Sequence, residues 1–424
     1  MKKLGTLFIA VLITLSTVPI GATEMKMSDV LNSIQIHGFV SQGFMQSNHD
    51  QDFLITDSHK GSFEFNEMAI NFSSQLFDDL SLGMQLFGYD LGENGNDEVD
   101  VDWAFGDYAF RDYLGFRGGM MKIPFGLYNE TRKLDMVHTS ILLPTSVYPE
   151  WFRESFSRIK GGGIYGELPG GFSYQALAGT SPFEEEGGLA DAFESLMADL
   201  GMQVTGSDQE YTYTGQLQWE SPFGLKLSAS MFSMNDPEIT MATDLPLPPE
   251  FTGGLGLTTP LRADVEFEPF EVRVLSAEYM AKRLTLAAEY IEYDLDFTIN
   301  ISSVMDPATF ALFPIPPRID IDTTMQGYYG GAAYRLLDRL EVGAYYSELY
   351  YDKHDKDGDD FVQTYPDKPK WGAWLKDICL SARYDFTRNW CAKVEGHIMD
   401  GTFMALEDVA RNWNLYAAKV TYSF

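Results

Sequence analysis

The chain ends in the stretch NLYAAKVTYSF (residues 414–424), in which large or apolar residues occupy every second position. Tyr416, Val420 and Phe424 share one face of an extended chain, and Lys419 and its polar neighbours share the other, because successive strand side chains point to opposite sides. The stretch therefore predicts a β-strand that contacts an apolar phase on one side and water on the other.

The other end of the chain has the features of an export signal. Residues 1–3 are cationic at two positions, residues 4–18 form an apolar stretch without charge, and residues 20–22 offer a small-residue cleavage site. This order is typical of a secretory signal peptide, and we expect cleavage after Ala22; a retained N-terminal anchor is the alternative. No apolar run of 18 residues follows, so we expect no membrane-spanning helix. A chain that crosses a bilayer without helices must close into a barrel.

Composition narrows the class of protein. The 424 residues carry a net charge of -32, which argues against nucleic-acid binding and against charge-driven binding to anionic lipid. The length would suit two or three soluble domains, but no linker divides the chain. The two cysteines are Cys379 and Cys391. A hairpin turn at 386–389 would set Cys391 opposite Tyr384, about 17 Å from Cys379, so we expect two free thiols facing the barrel interior.

Turn-forming residues divide the chain into about sixteen alternating segments, an even number typical of bacterial membrane barrels. Seven connections are short: 77–79, 111–113, 169–171, 221–224, 281–283, 337–339 and 386–389. Eight are long: 48–61, 91–98, 123–160, 182–209, 235–269, 296–321, 352–372 and 402–411.

Apolar and polar residues alternate most clearly in five segments. These are 80–86, 211–220, 225–231, 377–386 and 390–398. Many of the polar positions are ionisable, and such groups are costly in a sandwich core but not beside water. Their number indicates a wide, water-filled barrel. Aromatic residues near the short turns indicate one interfacial girdle; they are Phe77, Tyr113, Phe172, Phe223, Phe386, Trp390, Tyr422 and Phe424.

The longest connection, residues 123–160, is the segment in which we expect function. It contains six aromatic residues, enough apolar area to pack onto something, and it has more basic than acidic residues. Loops of this length in a compact fold are usually functional or disordered.

With these features the chain resembles the sixteen-stranded porins of Gram-negative outer membranes. The resemblance lies in the signal sequence, the alternating hairpins, the terminal Phe424 strand and the long third loop entered through residues 121–126. The segment 124–126 is similar to the Pro-Glu-Phe-Gly-Gly of enteric porins without reproducing it. The resemblance implies an all-β, transmembrane antiparallel barrel, a third loop folded into the lumen, assembly as a trimer, and Phe424 as a signal to the barrel-insertion machinery.

A loop folded into a lumen fixes charges where permeating solutes lose hydration, and such charges set ion preference. The residues that we predict for the constriction are Glu130, Arg132, Lys133, Asp135, Arg153, Glu154 and Arg158. The basic residues that we predict for the facing lumen wall are Arg117, Lys226, Arg273, Arg383, Lys393 and Lys419. For each of them, an ordinary solvated charge is the alternative, and a register shift of one residue would turn a wall residue to the lipid.

The remaining motifs give weaker predictions of function. Asp355, Asp357 and Asp359 alternate beside a glycine, a spacing that suits calcium, although a solvated acidic loop is the alternative and the EF-hand pattern is absent. No other cofactor is indicated. We find no Ser-His set for a lipase and no phosphate-binding glycine motif, so we expect no enzyme.

The sequence thus predicts an outer-membrane porin, a water-filled channel for passive diffusion of small hydrophilic solutes or ions. The alternatives are a non-conducting adhesive or structural barrel in the same membrane, and a secreted soluble β-protein. Expected partners are outer-membrane lipid and lipopolysaccharide, which acidic outer loops would meet through divalent cations. Ion selectivity stays open, because the net charge favours cations whereas the locally basic third loop favours anions.

Overall fold

The computed structural model describes residues 33–48, 58–92, 95, 97–181, 190, 193–194, 197, 200–246, 258–303, 315–366, 368–403 and 410–424. The predicted signal peptide, residues 1–22, lies outside them, as does most of the connection from 182 to 199.

Sixteen antiparallel strands form a closed barrel, and three further strands extend it. The strands are β1 Gln35–Ser47, β2 Asn66–Phe77, β3 Leu80–Asp90, β4 Val99–Arg111, β5 Leu114–Lys122, β6 Arg158–Leu168, β7 Phe172–Thr180, β8 Gln203–Asp208, β9 Tyr211–Glu220, β10 Leu225–Asn235, β11 Glu238–Pro246, β12 Thr258–Phe267, β13 Phe270–Ala281, β14 Leu284–Ser303, β15 Arg318–Leu337, β16 Leu340–Tyr350, β17 Trp374–Asp385, β18 Trp390–Gly401 and β19 Asn412–Ser423. Short helical turns occupy Asn129–Thr131, Asp135–Val137, Glu150–Phe152, Phe361–Thr364 and Lys370–Ala373.

The barrel consists of all strands except β8, β11 and β12, each paired with its neighbour in the chain. It closes where β19 pairs with β1. At this seam the Gly38 amide donates to the Phe424 carbonyl at 3.2 Å, and the Phe424 amide donates to the Gly38 carbonyl at 3.0 Å. A Cβ on Gly38 would lie 2.5 Å from the Ala69 carbonyl oxygen on β2 and 2.7 Å from the Phe424 ring, so this position requires glycine. The predicted sixteen-stranded barrel with seven tight connections is confirmed.

The segments 235–269 and 296–321, predicted as long connections between strands, contain strands themselves: β11, β12 and the extended ends of β14 and β15. β11 pairs with β8 and β12, and β12 pairs with the end of β14 that lies away from the short turns. Their apolar side, with Met241, Val265 and Ile299, packs onto Phe193 and Met197 in a second buried core.

The two faces of the barrel wall differ as the alternation predicted. On the outer face Leu380 and Ile398 are 62% and 61% exposed, whereas Cys379 on the inner face is fully buried. In the last strand Tyr416, Val420 and Phe424 are exposed on the outside and the residues between them are buried or half-buried. An exposed apolar belt of this kind is typical of barrels that contact lipid.

Both cysteines are free, as predicted, and both are buried. Cys391 pairs with Asp385 rather than with Tyr384, a register one residue away from the expected one. Within the described part of the chain, no helix has the length and apolar character needed to cross a membrane.

Candidate functional site

The connection between β5 and β6, residues 123–157, lies inside the barrel; we call it loop 3. Its backbone bonds to opposite walls. The Gly126 amide donates to Ser230 Oγ on β10 at 3.0 Å, and the Ile141 amide donates to Glu395 on β18 at 2.6 Å. Loop 3 therefore crosses the interior instead of projecting from the rim.

One side of loop 3 is apolar and packed. Phe125, Tyr148 and Phe156 are 0–2% exposed. The Phe156 ring lies 5.4 Å from that of Phe232 and 6.1 Å from that of Tyr293, both on the inner wall. Large apolar contacts of this kind exclude water and contribute about 1.5–3 kcal/mol per side chain. The expectation of a polar, water-filled interior was wrong for this side, where the inner positions that contact loop 3 include the apolar residues Phe232, Val272, Val274, Ile291 and Tyr293.

Glu289 on β14 anchors the apolar side of loop 3. Its carboxylate accepts hydrogen bonds from the Tyr148 hydroxyl at 2.6 Å, the Tyr329 hydroxyl at 2.8 Å, Ser276 Oγ at 2.6 Å and the Leu127 amide at 2.8 Å. Because buried carboxylates are stable only when their oxygens are satisfied, this site fixes the start and the middle of loop 3 to one point of the wall.

Asp135 anchors the opposite side. Its carboxylate lies 3.0 Å from Lys393 Nζ and 3.5 Å from Lys419 Nζ, and it accepts a hydrogen bond from Thr421 Oγ1 at 2.6 Å. Burial by itself raises the pKa of Asp135, but Lys419 and Lys393 outweigh burial and hold that pKa well below its usual range. The group is therefore charged at neutral pH.

The ion pairs continue along loop 3. Lys419 and Arg153 both bind Glu67 on β2. Arg153 also contacts Glu150, at 3.4 Å, and Arg132 binds Glu150 at 3.0 Å. Loop 3 is thus joined to β2 and β19 by charges that neutralise one another.

A second chain of ion pairs lies nearer the loop ends. Lys133 lies 3.1 Å from Asp102 on β4 and 2.8 Å from Glu154. Lys122 binds the same Asp102 at 2.9 Å. Arg158, the first residue of β6, pairs with Asp100.

These contacts change the interpretation of the predicted constriction. Arg132, Lys133, Asp135, Arg153 and Arg158 are at most 8% exposed, so they hold loop 3 to the wall and do not face open water. Their role at the constriction stays a prediction, and the carboxylates on the wall that bind them could not be identified from sequence spacing. Glu154, whose side chain is 22% exposed, stays a predicted constriction residue.

Glu130 lies on the side of loop 3 that faces β5–β9. It accepts a hydrogen bond from Gln175 Nε2 at 3.4 Å. Burial raises the pKa of Glu130, and the nearby Arg117 charge opposes that rise. Arg117 pairs with Asp107 at 2.7 Å and lies over the Tyr165 ring at 4.7 Å.

A polar cavity of about 540 Å³ opens beside this pair, at the short-turn end of β4–β9; we call it the vestibule. Its lining is rich in amide, hydroxyl and charged groups. The lining includes Arg117, Tyr165, Tyr174, Gln175, Gln216 and Gln218. A smaller cavity of about 290 Å³, with Arg339, Arg383 and Arg388 in its wall, lies at the same end of β16–β18.

Most of the basic residues predicted for the lumen wall lie on the inner face of the barrel. Lys393 and Lys419 are buried on the inner face, and Arg383 donates to the Met136 carbonyl of loop 3. Lys226 occupies one of the polar positions of the alternating strand β10, and it pairs with Glu220 at 3.2 Å. Arg117 lines the vestibule, as described above.

The prediction for Arg273 was wrong. Its side chain is 53% exposed on the outer face, the face of Leu275, and it pairs with Glu271 and, at 3.0 Å, with Asp294. In β13 the inner positions belong to Val272 and Val274, so the polar-inside rule fails where loop 3 supplies an apolar partner.

The acidic loop at 352–360 is internally bonded. Asp355 is buried, and its carboxylate accepts the amides of Asp359, Asp360 and Phe361 at 2.7–3.0 Å, which caps the turn Phe361–Thr364. Asp359 also pairs with Lys370. A calcium ion at Asp355, Asp357 and Asp359 stays a prediction, as does the role of Phe424 in assembly.

Four wall anchors were not among the predicted site residues: Glu67, Asp102, Glu289 and Glu395. Glu67 and Glu395 lie in the polar phase of alternating strands, which is the signal that could have identified them. Glu289 lies between apolar inner positions of β14, so alternation gives no such signal there.

Comparisons with known proteins agree with this architecture. No protein-family model matches the chain. An uncharacterized protein of Aquifex aeolicus (strain VF5) is 25% identical over 217 residues, which span 50% of this chain and 47% of that protein. The match thus covers about half the length of that relative.

Several solved structures share the fold. The outer membrane channel DcaP of Acinetobacter baumannii aligns with a TM-score of 0.54 and 10% identity over 92% of this chain and 97% of its own. The anion-selective porin from Comamonas acidovorans gives 0.50 and 12%, over 92% and 99%. OmpT of Vibrio cholerae, in its trimer form, gives 0.51 and 11%, over 92% and 99%. The chain therefore has the fold of the outer-membrane porins.

Proposed function

We propose that this protein is an outer-membrane porin that forms a narrow channel for passive diffusion of small hydrophilic solutes or ions, without enzymatic activity. The observation that carries the proposal is a closed barrel with an apolar outer belt, whose internal loop leaves a polar vestibule on one side. A barrel needs an outer belt of this kind only where lipid surrounds it, which supports an outer-membrane location.

The passage runs along the β5–β9 wall. Loop 3 is bound by buried ion pairs to β2, β4 and β19 and by apolar contacts to β10 and β14, so these sides are closed to water. Beside Arg117 and Glu130 the vestibule is lined by Gln175 and Gln218, whose side-chain amides can replace part of a solute's hydration shell. Glu130 and Arg117 are then the opposed charges that set ion preference.

Single-channel recording in planar bilayers tests the proposal. We expect discrete conductance steps from the wild-type protein. In asymmetric KCl, Glu130→Gln is expected to move the reversal potential toward anion preference and Arg117→Gln toward cation preference. Arg273→Gln removes the same charge as Arg117→Gln, but from the outer face, and is expected to leave the reversal potential unchanged. Equal effects of Arg117→Gln and Arg273→Gln would contradict the assigned passage.

A non-conducting barrel is the second candidate, and one specific observation favours it. Loop 3 packs its aromatic residues against the wall as a protein core does, and its ionic anchors reach β18 and β19 as well. Silence in bilayers from protein that is folded, as judged by heat-modifiable migration in gel electrophoresis, would support this candidate against the channel.

We also propose that the protein assembles as a homotrimer. On the outer face Gly106, Gly118, Gly162 and Ala178 lie opposite one another across four neighbouring strands, β4 to β7. This flat stripe allows another wall to approach closely, as small residues do between membrane segments. Light scattering in detergent measures the mass, and Gly118→Trp is expected to reduce it to that of one chain. A monomeric wild-type protein would contradict the proposal.

The lipid partner that we propose is the phosphate-bearing lipopolysaccharide of the outer leaflet. Lys356 and Lys376 lie 4.8 and 5.5 Å from the Tyr350 ring, and Arg411 lies 5.5 Å from the Trp374 ring. Cations held on aromatic rings at a membrane interface suit anionic headgroups. Neutralising the three cations together is expected to reduce lipopolysaccharide that copurifies with the protein, and unchanged copurification would contradict this assignment.

A further inference from the structure

A compact cluster of ligand-type side chains lies on the inner wall, away from the vestibule. Cys379 on β17 pairs directly with His397 on β18, and Glu395 lies two residues before His397 on the same face. Their sulfur, nitrogen and oxygen atoms all lie within 4.8 Å of one another, and all three residues are buried. Asp377, two residues before Cys379, completes the group.

We propose that Cys379, Glu395 and His397 bind a transition-metal dication of the zinc class. A thiolate and an imidazole select borderline and soft metals over calcium and magnesium, which require oxygen ligands. Metal–nitrogen and metal–sulfur bonds of about 2.0 and 2.3 Å place tetrahedral ligand atoms about 3.3–3.8 Å apart. His397 Nε2 and Glu395 Oε1 are already 3.1 Å apart, so small side-chain adjustments suffice.

The surroundings of His397 match those of a metal-bound histidine. Asp377 lies 2.9 and 3.1 Å from Nδ1, which leaves Nε2 for the ion. A carboxylate on the second ring nitrogen is the usual support of metal-binding histidines, because it fixes the orientation of the ring. Asp377 is therefore a positioning residue of the site.

Tyr345 encloses the cluster on the side of β16. It lies directly opposite Cys379, and its ring centroid is 6.2 Å from that of His397. The residue is about nine-tenths buried, and its hydroxyl lies beside the Asp377 carboxylate.

Cobalt(II) tests the site, because a thiolate ligand gives an intense charge-transfer band and tetrahedral geometry gives strong visible bands. The whole protein in detergent is titrated after incubation with Co²⁺ and, since the cluster is buried, also after refolding in its presence. We expect about one Co²⁺ per chain with both sets of bands. Cys379→Ser is expected to abolish the charge-transfer band and weaken binding about 10–100-fold.

Cys391→Ser is the matched control, because it removes the other buried thiol, which lies outside the cluster. It is expected to keep the bands and the affinity, and both variants are checked for heat-modifiable migration. Two results would overturn the proposal. One is wild-type protein without a charge-transfer band after either treatment, and the other is a band that persists in Cys379→Ser.

Discussion

The ionic anchor of loop 3 is open to a direct test with Asp135→Asn. The wild-type carboxylate faces Lys393 and Lys419, and only 2% of the Asp135 side chain is exposed. The amide keeps the hydrogen bond with Thr421 but removes the negative charge between the two ammonium groups. Lys419 retains Glu67 as a partner, whereas Lys393 is left with backbone carbonyls of loop 3.

The expected cost follows from burial. Removing one partner of a buried ion pair destabilises by about 3–5 kcal/mol. Because Lys419 keeps its second carboxylate, we expect the lower value, about 3 kcal/mol, which is roughly a 100-fold shift in the equilibrium between bound and released loop. Since the pKa of Asp135 is depressed, this stabilisation is fully present above about pH 4 and is lost only as the pH falls through the folded-state value.

Amide hydrogen exchange measures the effect where it occurs. We expect residues 134–140 to exchange about 100-fold faster in Asp135→Asn, with barrel strands unchanged. The rest of the loop stays in place because Glu395 still accepts the amides of Ile141 and Leu142, and Glu289 still binds Tyr148. Asp320→Asn is the matched control. Asp320 pairs with Arg318 at 2.7 Å, but these side chains are 63% and 60% exposed, so solvent screens the pair and its removal is expected to leave hydrogen exchange in loop 3 unchanged. If both variants exchange like the wild type, the buried ion pairs do not hold loop 3.

Three further predictions concern the pH dependence of loop 3 binding, the closure of the barrel at Gly38, and the stability of the three strands β8, β11 and β12 that extend the barrel. Burial lowers the pKa of His138, in loop 3, to about 4, so loop binding should weaken as the pH falls from about 6.5 to 4 and His138→Gln should flatten that part of the hydrogen-exchange profile. Gly38→Val is expected to lower the yield of heat-modifiable barrel through collision with Phe424, whereas Gly330→Val, where a Cβ meets nothing within 4 Å, should fold normally; equal yields would contradict the closure argument. Met241→Ala should destabilise the β8–β11–β12 extension by about 2–5 kcal/mol and speed hydrogen exchange there alone; faster exchange throughout the barrel would show that the two parts unfold together.

Local patterns in the sequence were sufficient to predict the barrel and to assign residues to its outer and inner faces. Residues 414–424 show why. The side-chain direction of a strand repeats every two residues, so these eleven residues are enough to predict which positions of β19 face lipid and which face the interior. The same rule identified Lys393 and Lys419 as interior residues and the short turns as the ends of hairpins. It failed at Arg273, where apolar residues take the interior phase.

The partners of those interior charges were decided only by the tertiary structure. Asp135 and Lys393 are 258 positions apart, and their contact depends on the path of loop 3 and on which strands face each other across the closed barrel. Alternation states which side of a strand a residue occupies, but not what lies on the opposite wall. For that reason the basic residues of loop 3 suggested a lining for a pore, whereas Glu67, Asp102 and Glu150 make them anchors, and the group Cys379, Glu395 and His397 emerged only once β17 and β18 were in register.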